Sequence, residues 1–167
     1  MRAADRYDAW HPPIPRLAYL DADLRHPDKI LADPVLRDTL DLSQPVALML
    51  VAILHFIRDD ENPGQILGRL VGALAPGSYL VASHATYDYL PAQVVEQLEK
   101  NNADGRFRAR SRAEFAALLD GLSLVEPGIV PVSRWRPDQP AEQLPSDADV
   151  SGYAAVAQVV TESGDER

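Results

Sequence analysis

The sequence predicts an α/β fold wound around a mostly parallel sheet, and three observations predict it. Short apolar runs alternate with amphipathic helical stretches, the order that lays helices on the faces of a parallel sheet. Residues 46–57 (VALMLVAILHFI) form an apolar run without polar alternation, as expected of a strand covered on both faces. The last two strand-like segments, in 122–132 and 151–160, have no helix between them, so they pair antiparallel at the C-terminal side.

Each element has its own signal. Residues 1–15 carry Pro12, Pro13 and Pro15 and no usable period, which predicts an irregular lead-in. RLAYLD (16–21) reads as a short strand and 22–27 as the loop that leaves it. Two short helical turns follow at 28–32 and 35–40, the second opened by Asp33 at a cap position and Pro34 in the first turn. The run 46–57 starts as a strand and turns toward a helix from about Ile53. In 64–74 the apolar residues fall at 66, 67, 70, 71 and 74, which is helical spacing, and Ala75-Pro76-Gly77 ends that helix. SYLVAS (78–83) is the next strand. Residues 91–101 open with proline and read as a helix with a charged outer face. In 111–119, Ser111 and Glu114 have the spacing of a capping box, and Gly121 stops the helix. A strand over 122–132 is interrupted by Pro127-Gly128, a polar loop spans 137–149, and 151–160 is the last strand. Residues 161–167 are expected to be a disordered tail.

Composition narrows the function classes. The chain has 167 residues, of which 46% are hydrophobic and 25% charged, enough for one domain with a real core. A formal charge of −9 argues against a nucleic-acid partner, because phosphate binding requires clustered Lys and Arg. The absence of cysteine excludes disulfides, thiolate metal sites and thiol nucleophiles. None of the four histidines has the spacing of a sequence-local metal site, so no metal is expected. No apolar leader is visible in the first fifteen residues, and the longest apolar run is too short to span a bilayer. The expectation is a cytoplasmic protein that binds no membrane. A hydrolase reading lacks support, since no Gly-x-Ser-x-Gly elbow occurs.

Two blocks carry a family resemblance. Residues 53–84 (ILHFIRDDENPGQILGRLVGALAPGSYLVASH) are similar to the stretch of class I methyltransferases that runs from the fourth strand through its helix to the fifth, with Leu-His, an acidic turn, a helix and Pro-Gly in order. Residues 17–56 together with 111–137 (SRAEFAALLDGLSLVEPGIVPVSRWRP) resemble an actinobacterial S-adenosylmethionine-dependent methyltransferase family, once known as a domain of unknown function. The resemblance covers roughly 17–160. It implies a partial Rossmann-like class I methyltransferase sheet, mostly parallel with an antiparallel C-terminal hairpin, occupying 16–160 as a truncated domain. The family's strand order is 3-2-1-4-5-7-6, and this chain supplies strands 3 to 7. The implied cofactor is S-adenosyl-L-methionine, and the implied reaction is methyl transfer to an O or N nucleophile on a small-molecule acceptor that the sequence does not identify.

The same resemblance marks departures. The family's glycine-rich turn, which lets backbone approach the methionine end of the cofactor, has no counterpart: no Gly-x-Gly occurs and no glycine precedes Gly64. The carboxylate that binds the ribose hydroxyls follows the family's second strand, whereas Asp21 and Asp23 follow what resembles the third. The competing reading is therefore a non-catalytic remnant or interaction module.

By the resemblance, Asp23 and Leu24 fall where adenine is recognised, the carboxylate accepting from the exocyclic amine and the next N–H bonding a ring nitrogen. The alternative is that Asp23 caps a strand and Asp28 a helix. Val51 and Ala52 fall at the end of the fourth strand beside the cofactor, or are plain core. His55 falls where some O-methyltransferases place a general base; otherwise it caps the strand and bonds locally to Asp59 or Asp60. Many methyltransferases work mainly by alignment, so a base is not obligatory. Asp59, Asp60 and Glu61 read as a solvated helix start rather than a metal cage. His84 is a rim residue or part of an acceptor pocket, with Tyr87 and Tyr89 as an aromatic wall. Arg106, Arg108, Arg110 and Arg112 read as a solvated loop face, with an acidic-acceptor site as the alternative, and Trp135 as a packing anchor. Without the first two strands, 46–52 exposes an edge. That edge would be filled by 16–21, by a second copy in a homodimer, or by a complementing N-terminal half.

Overall fold

The computed structural model describes residues 16–160; the expected lead-in at 1–15 and tail at 161–167 lie outside the described residues. Five strands form one sheet: β1 (Ala47–Leu50), β2 (Tyr79–Ala85), β3 (Ser123–Leu124), β4 (Val130–Pro131) and β5 (Gly152–Gln158). The order is β1-β2-β5-β3, with β4 also on β5. Only β1 and β2 pair in parallel; β5 runs antiparallel to β2, β3 and β4. All strands but β5 therefore point the same way, and β5 is inserted between β2 and the broken strand β3/β4. This is the 4-5-7-6 part of the expected order. The break between β3 and β4 falls where Pro127 and Gly128 were expected to interrupt the strand, with Gly128 at φ +80°.

Among the described residues six α-helices accompany the sheet: α1 (Pro27–Ala32), α2 (Pro34–Thr39), α3 (Pro63–Val71), α4 (Ala92–Asn101), α5 (Arg112–Leu118) and α6 (Asp147–Val150). α3 starts at Pro63, whose missing N–H costs nothing in the first turn. It buries Ile66, Leu67 and Leu70, a stripe at helical spacing. α5 has the capping box: Ser111 Oγ accepts from the Glu114 N–H at 3.3 Å, and the Glu114 carboxylate accepts from the Ser111 N–H at 2.7 Å. Asp33 caps α2, its carboxylate accepting from the Val35 N–H at 2.8 Å. Asp28 does not cap α1; its carboxylate pairs with Arg69 on α3.

One face of the sheet carries the core. Leu80 and Ala82 of β2 and Tyr153 and Ala155 of β5 meet Leu67 of α3 and Phe115 of α5 in one cluster, with Leu50 of β1. Phe115 and Leu54 are fully buried, and burying a side chain of that size contributes roughly 1.5–3 kcal/mol. A smaller cluster of Ile57, Ile66 and Leu70 draws in Leu24 and Leu31, so the segment before β1 leans on α3. On β1 the other face is open, with Met49 63% and Val51 56% exposed. The run 46–57 is thus not a strand buried on both faces. It is a four-residue strand, a turn, and a 3-10 turn at Leu54–Phe56.

The strand expected at 16–21 does not form. Leu17 and Tyr19 are 97% and 85% exposed, and no ladder engages them. A strand needs a hydrogen-bonding neighbour, and the family's third strand takes its neighbour from the part of the sheet absent here. Nor do these residues fill the free edge of β1.

Candidate functional site

Open α/β sheets bind ligands outside the carboxyl ends of their strands. β1 and β2 both deliver their chains there. After Leu50 the backbone turns at Ala52, a non-glycine residue at φ +54° whose N–H donates to Ser83 Oγ at 2.9 Å. The left-handed conformation costs an L-residue roughly 1–2 kcal/mol, so the chain holds strain at the mouth of the crevice. Val51 and Ala52 are both exposed rather than core. No sequence signal marks that turn, since glycine or asparagine is the usual residue at positive φ.

Past the turn, Ile53, Phe56 and Ile57 line a cleft of about 460 Å³ with Asp23 and Leu24 opposite. The structure thus brings Asp23 and Leu24 together with the end of β1. Asp23 does not cap a strand. Its Oδ1 accepts from the Arg25 N–H at 3.0 Å and from Arg25 Nε at 2.9 Å. Those bonds hold its carboxyl down at about 2, so it is a carboxylate throughout the physiological range. Arg25 also reaches Glu61 at 3.1 Å, which ties the 23–25 loop to the acidic turn.

A second cleft, of about 410 Å³, opens at the end of β2. Ala85, Tyr87, Leu90, Leu98 of α4 and Phe107 give it predominantly apolar walls. His55 lines neither cleft but packs on one aromatic ring of each. Its ring centroid lies 4.5 Å from that of Phe56, in the first, and 5.0 Å from that of Phe107, in the second. It is nine-tenths buried, and its Nδ1 has no hydrogen-bond partner among the described residues. Burial holds its pKa below the ordinary imidazole value, which keeps the ring neutral at neutral pH. The expected local bond to Asp59 or Asp60 is not made. Asp59 is taken by Arg108 at 2.9 Å and Arg110 at 2.6 Å, and Asp60 by Arg58 at 3.0 Å.

His84 is neither a rim residue nor a pocket wall. It is 1% exposed and packs against Phe115. Its Nε2 lies 2.9 Å from Arg110 Nη1, and a guanidinium only donates, so Nε2 must be the unprotonated nitrogen. The proton then sits on Nδ1 and is donated to the Ala85 carbonyl at 2.9 Å. Burial, with Arg110 beside it, pushes its pKa down to about 4.

Nor is Arg110 part of a solvated basic face. It is 3% exposed and donates to the Leu54 and Ile57 carbonyls at 3.3 and 3.0 Å. With its backbone N–H on the Ala85 carbonyl at 3.0 Å, it clamps the 54–59 turn to the end of β2. The neighbouring Arg108 N–H donates to the His55 carbonyl at 2.8 Å, fixing the histidine's backbone. Sequence reasoning missed this clamp because the alternation in RFRARSR (106–112) sets Arg110 on one face with Arg106 and Arg108 and carries no sign that it alone turns inward. Of the tyrosines, Tyr87 lines the second cleft, whereas Tyr89 packs on Tyr153, ring centroids 5.6 Å apart. Trp135 is half-buried, with Arg136 stacked 5.0 Å above its ring.

A 4-5-7-6 sheet with its one reversed strand inside, and clefts outside its carboxyl ends, defines the C-terminal side of a class I methyltransferase. Comparison with known proteins agrees. The family described as S-adenosyl methyltransferase matches residues 11–160. A DUF574 family protein from Streptomyces avermitilis is 42% identical, with a TM-score of 0.77 over 84% of this chain and 54% of that one. A Thermobifida fusca protein classed as a methyltransferase is 33% identical, with a TM-score of 0.78 over 94% of this chain and 59% of that one. An O-methyltransferase family protein from Burkholderia thailandensis shares the fold at 13% identity, with a TM-score of 0.54 over 87% of this chain and 36% of that one. No curated protein matches the sequence. The chain belongs to the S-adenosyl methyltransferase family, and it spans 54% and 59% of the lengths of the two more similar structures.

Among the described residues no helix is long and apolar enough to cross a membrane. The residues present fit one end of S-adenosylmethionine. Asp23 offers an exposed carboxylate beside the Leu24 N–H, over an apolar floor of Ile53 and Phe56. The ribose and methionine ends find neither the glycine-rich turn nor the carboxylate after a second strand.

Proposed function

We propose that this chain supplies the adenine-binding and acceptor-facing side of an S-adenosylmethionine-dependent methyltransferase. The observation that carries the reading is the cleft just past the end of β1, in which Asp23 and Leu24 face Ile53, Phe56 and Ile57. When bound, S-adenosylmethionine supplies an electrophilic methyl group on a sulfonium sulfur, which an O or N nucleophile takes while giving up its own proton. Asp23 would accept from the exocyclic amine of adenine and Leu24 would donate to a ring nitrogen. Ile53 and Phe56 would exclude water from the ring. Val51 and Ala52 would present backbone beside the cofactor at the end of β1. His55, neutral and with Nδ1 free, would hold the acceptor's proton.

The ribose and methionine contacts would come from polypeptide not contained in these 167 residues. The edge of β1 that no described strand pairs with, with Met49 and Val51 exposed on the open face beside it, is where such a partner would pair, whether a complementing half of the sheet or a second copy of the chain. Arg25 on Asp23 and the missing glycine turn favour a second reading, in which the chain is an interaction module that no longer turns over cofactor.

Calorimetric titration with S-adenosylhomocysteine separates the two. Saturable binding that weakens about tenfold or more in Asp23→Ala, with His55→Gln unchanged, supports the methyltransferase reading. No binding to a folded sample, with or without an added N-terminal half from a relative, supports the interaction module.

A further inference from the structure

The apolar cleft at the end of β2 has a chemistry of its own. None of the residues that line it is charged, although the chain as a whole carries a formal charge of −9. Its polar side chains are largely spent inside the protein. The Asn102 amide holds both backbone groups of Phe107, at 2.6 and 3.0 Å. Thr86 Oγ1 accepts from the Asp88 N–H at 3.1 Å, and Ser151 Oγ donates to the Ala148 carbonyl at 2.6 Å. The Tyr87 hydroxyl has no partner among the described residues. Tyr87 and Phe107 set their rings within 29° of parallel, centroids 6.3 Å apart, which gives one wall a flat aromatic character. Phe107 also touches His55, so an occupant would lie one ring away from the free Nδ1.

We infer that this cleft binds the methyl acceptor, and that the acceptor is an uncharged, planar aromatic molecule bearing a hydroxyl or amine. This rests on the methyltransferase reading for the word acceptor, but not for the binding. An anion would lose its hydration against apolar walls with no cation lining the cleft to replace it. A flat ring would gain stacking area on Tyr87 and Phe107, and one polar substituent would find the Tyr87 hydroxyl.

The test uses the full chain and two probes of equal size, 2-naphthol and 2-naphthoate, titrated by calorimetry without cofactor. 2-Naphthol should bind at least about tenfold more tightly than 2-naphthoate. Leu98→Asp, which puts a charge into the wall, should weaken 2-naphthol about tenfold or more, and Tyr87→Phe about threefold to tenfold. Tyr87→Phe changes a single oxygen and keeps the test valid if Leu98→Asp fails to fold. S-adenosylhomocysteine, titrated in parallel, should be indifferent to both substitutions. Equal binding of the two probes, no binding of 2-naphthol, or affinity unchanged in both variants would overturn the inference. Loss of S-adenosylhomocysteine binding with 2-naphthol binding intact would overturn the cofactor reading instead and leave the cleft's chemistry standing.

Discussion

The two flanks of the sheet behave differently. On one side β2 and β5 pair over seven residues each, and their inward side chains Leu80, Ala82, Tyr153, Ala155 and Ala157 are all nearly dry. On the other, β1 has four residues and one neighbour among the described strands, and α1 and α2 bury none of their residues. The candidate cofactor residues lie on the second flank and the clamp of Arg110 and His84 on the first. His55 sits on the boundary. The well-packed flank fixes position, and the lightly packed flank keeps the exposed groups that a ligand or partner would cover.

The comparison can be broken most severely at the clamp. Arg110→Met removes the donors to the Leu54 and Ile57 carbonyls and to His84 Nε2, while Asp59 keeps Arg108, so unfolding in urea should show a loss of roughly 3–5 kcal/mol from these buried acceptors. Phe115→Ala, which empties the fully buried site under α5, should cost a similar 3–5 kcal/mol. A loss below about 1 kcal/mol for either would show that the β2–β5 side is not the stable one.

A pH titration sharpens the same contrast. His84 has its pKa depressed from 6.5 to about 4 in the fold, so between those values the unfolded chain binds more protons. Stability is therefore full above about pH 6.5 and falls as pH drops toward 4, by on the order of 3 kcal/mol for this group. His84→Gln should flatten that window, and an unchanged slope would remove His84 from the account. Acid loss below it belongs to carboxylates such as Asp59, held low by Arg108 and Arg110.

Smaller effects follow at the surface. Ser111→Ala breaks the capping box of α5 and should cost about 1 kcal/mol in the same assay. On the open flank, Arg69→Ala breaks only the exposed pair with Asp28 and should change stability by less than about 0.5 kcal/mol. A loss as large as that of Arg110→Met would contradict the asymmetry between the flanks.

Much of the fold was legible in the sequence because its signals are local. The Ser111–Glu114 spacing, the stripe Ile66, Leu67, Leu70 and the break at Pro127-Gly128 each report a nearby backbone requirement. The expected strand at 16–21 failed because strand formation depends on a neighbour, which no local pattern contains. His84 and Arg110 were misplaced for a related reason: 26 residues separate two side chains whose contact exists only through the pairing of distant segments. Asp23, Leu24 and His55 were singled out through the family resemblance, and the geometry added the lone Nδ1 of His55 and the second cleft.

In the proposed function adenine rests on the Asp23–Leu24 loop against the end of β1. Backbone amide NMR with S-adenosylhomocysteine tests it most directly. Saturable shifts should centre on Leu24 and Ala52 and be lost in Asp23→Ala, with the Arg112–Leu118 helix unmoved. Shifts confined to residues remote from the 23–24 loop, or unchanged by Asp23→Ala, would contradict it.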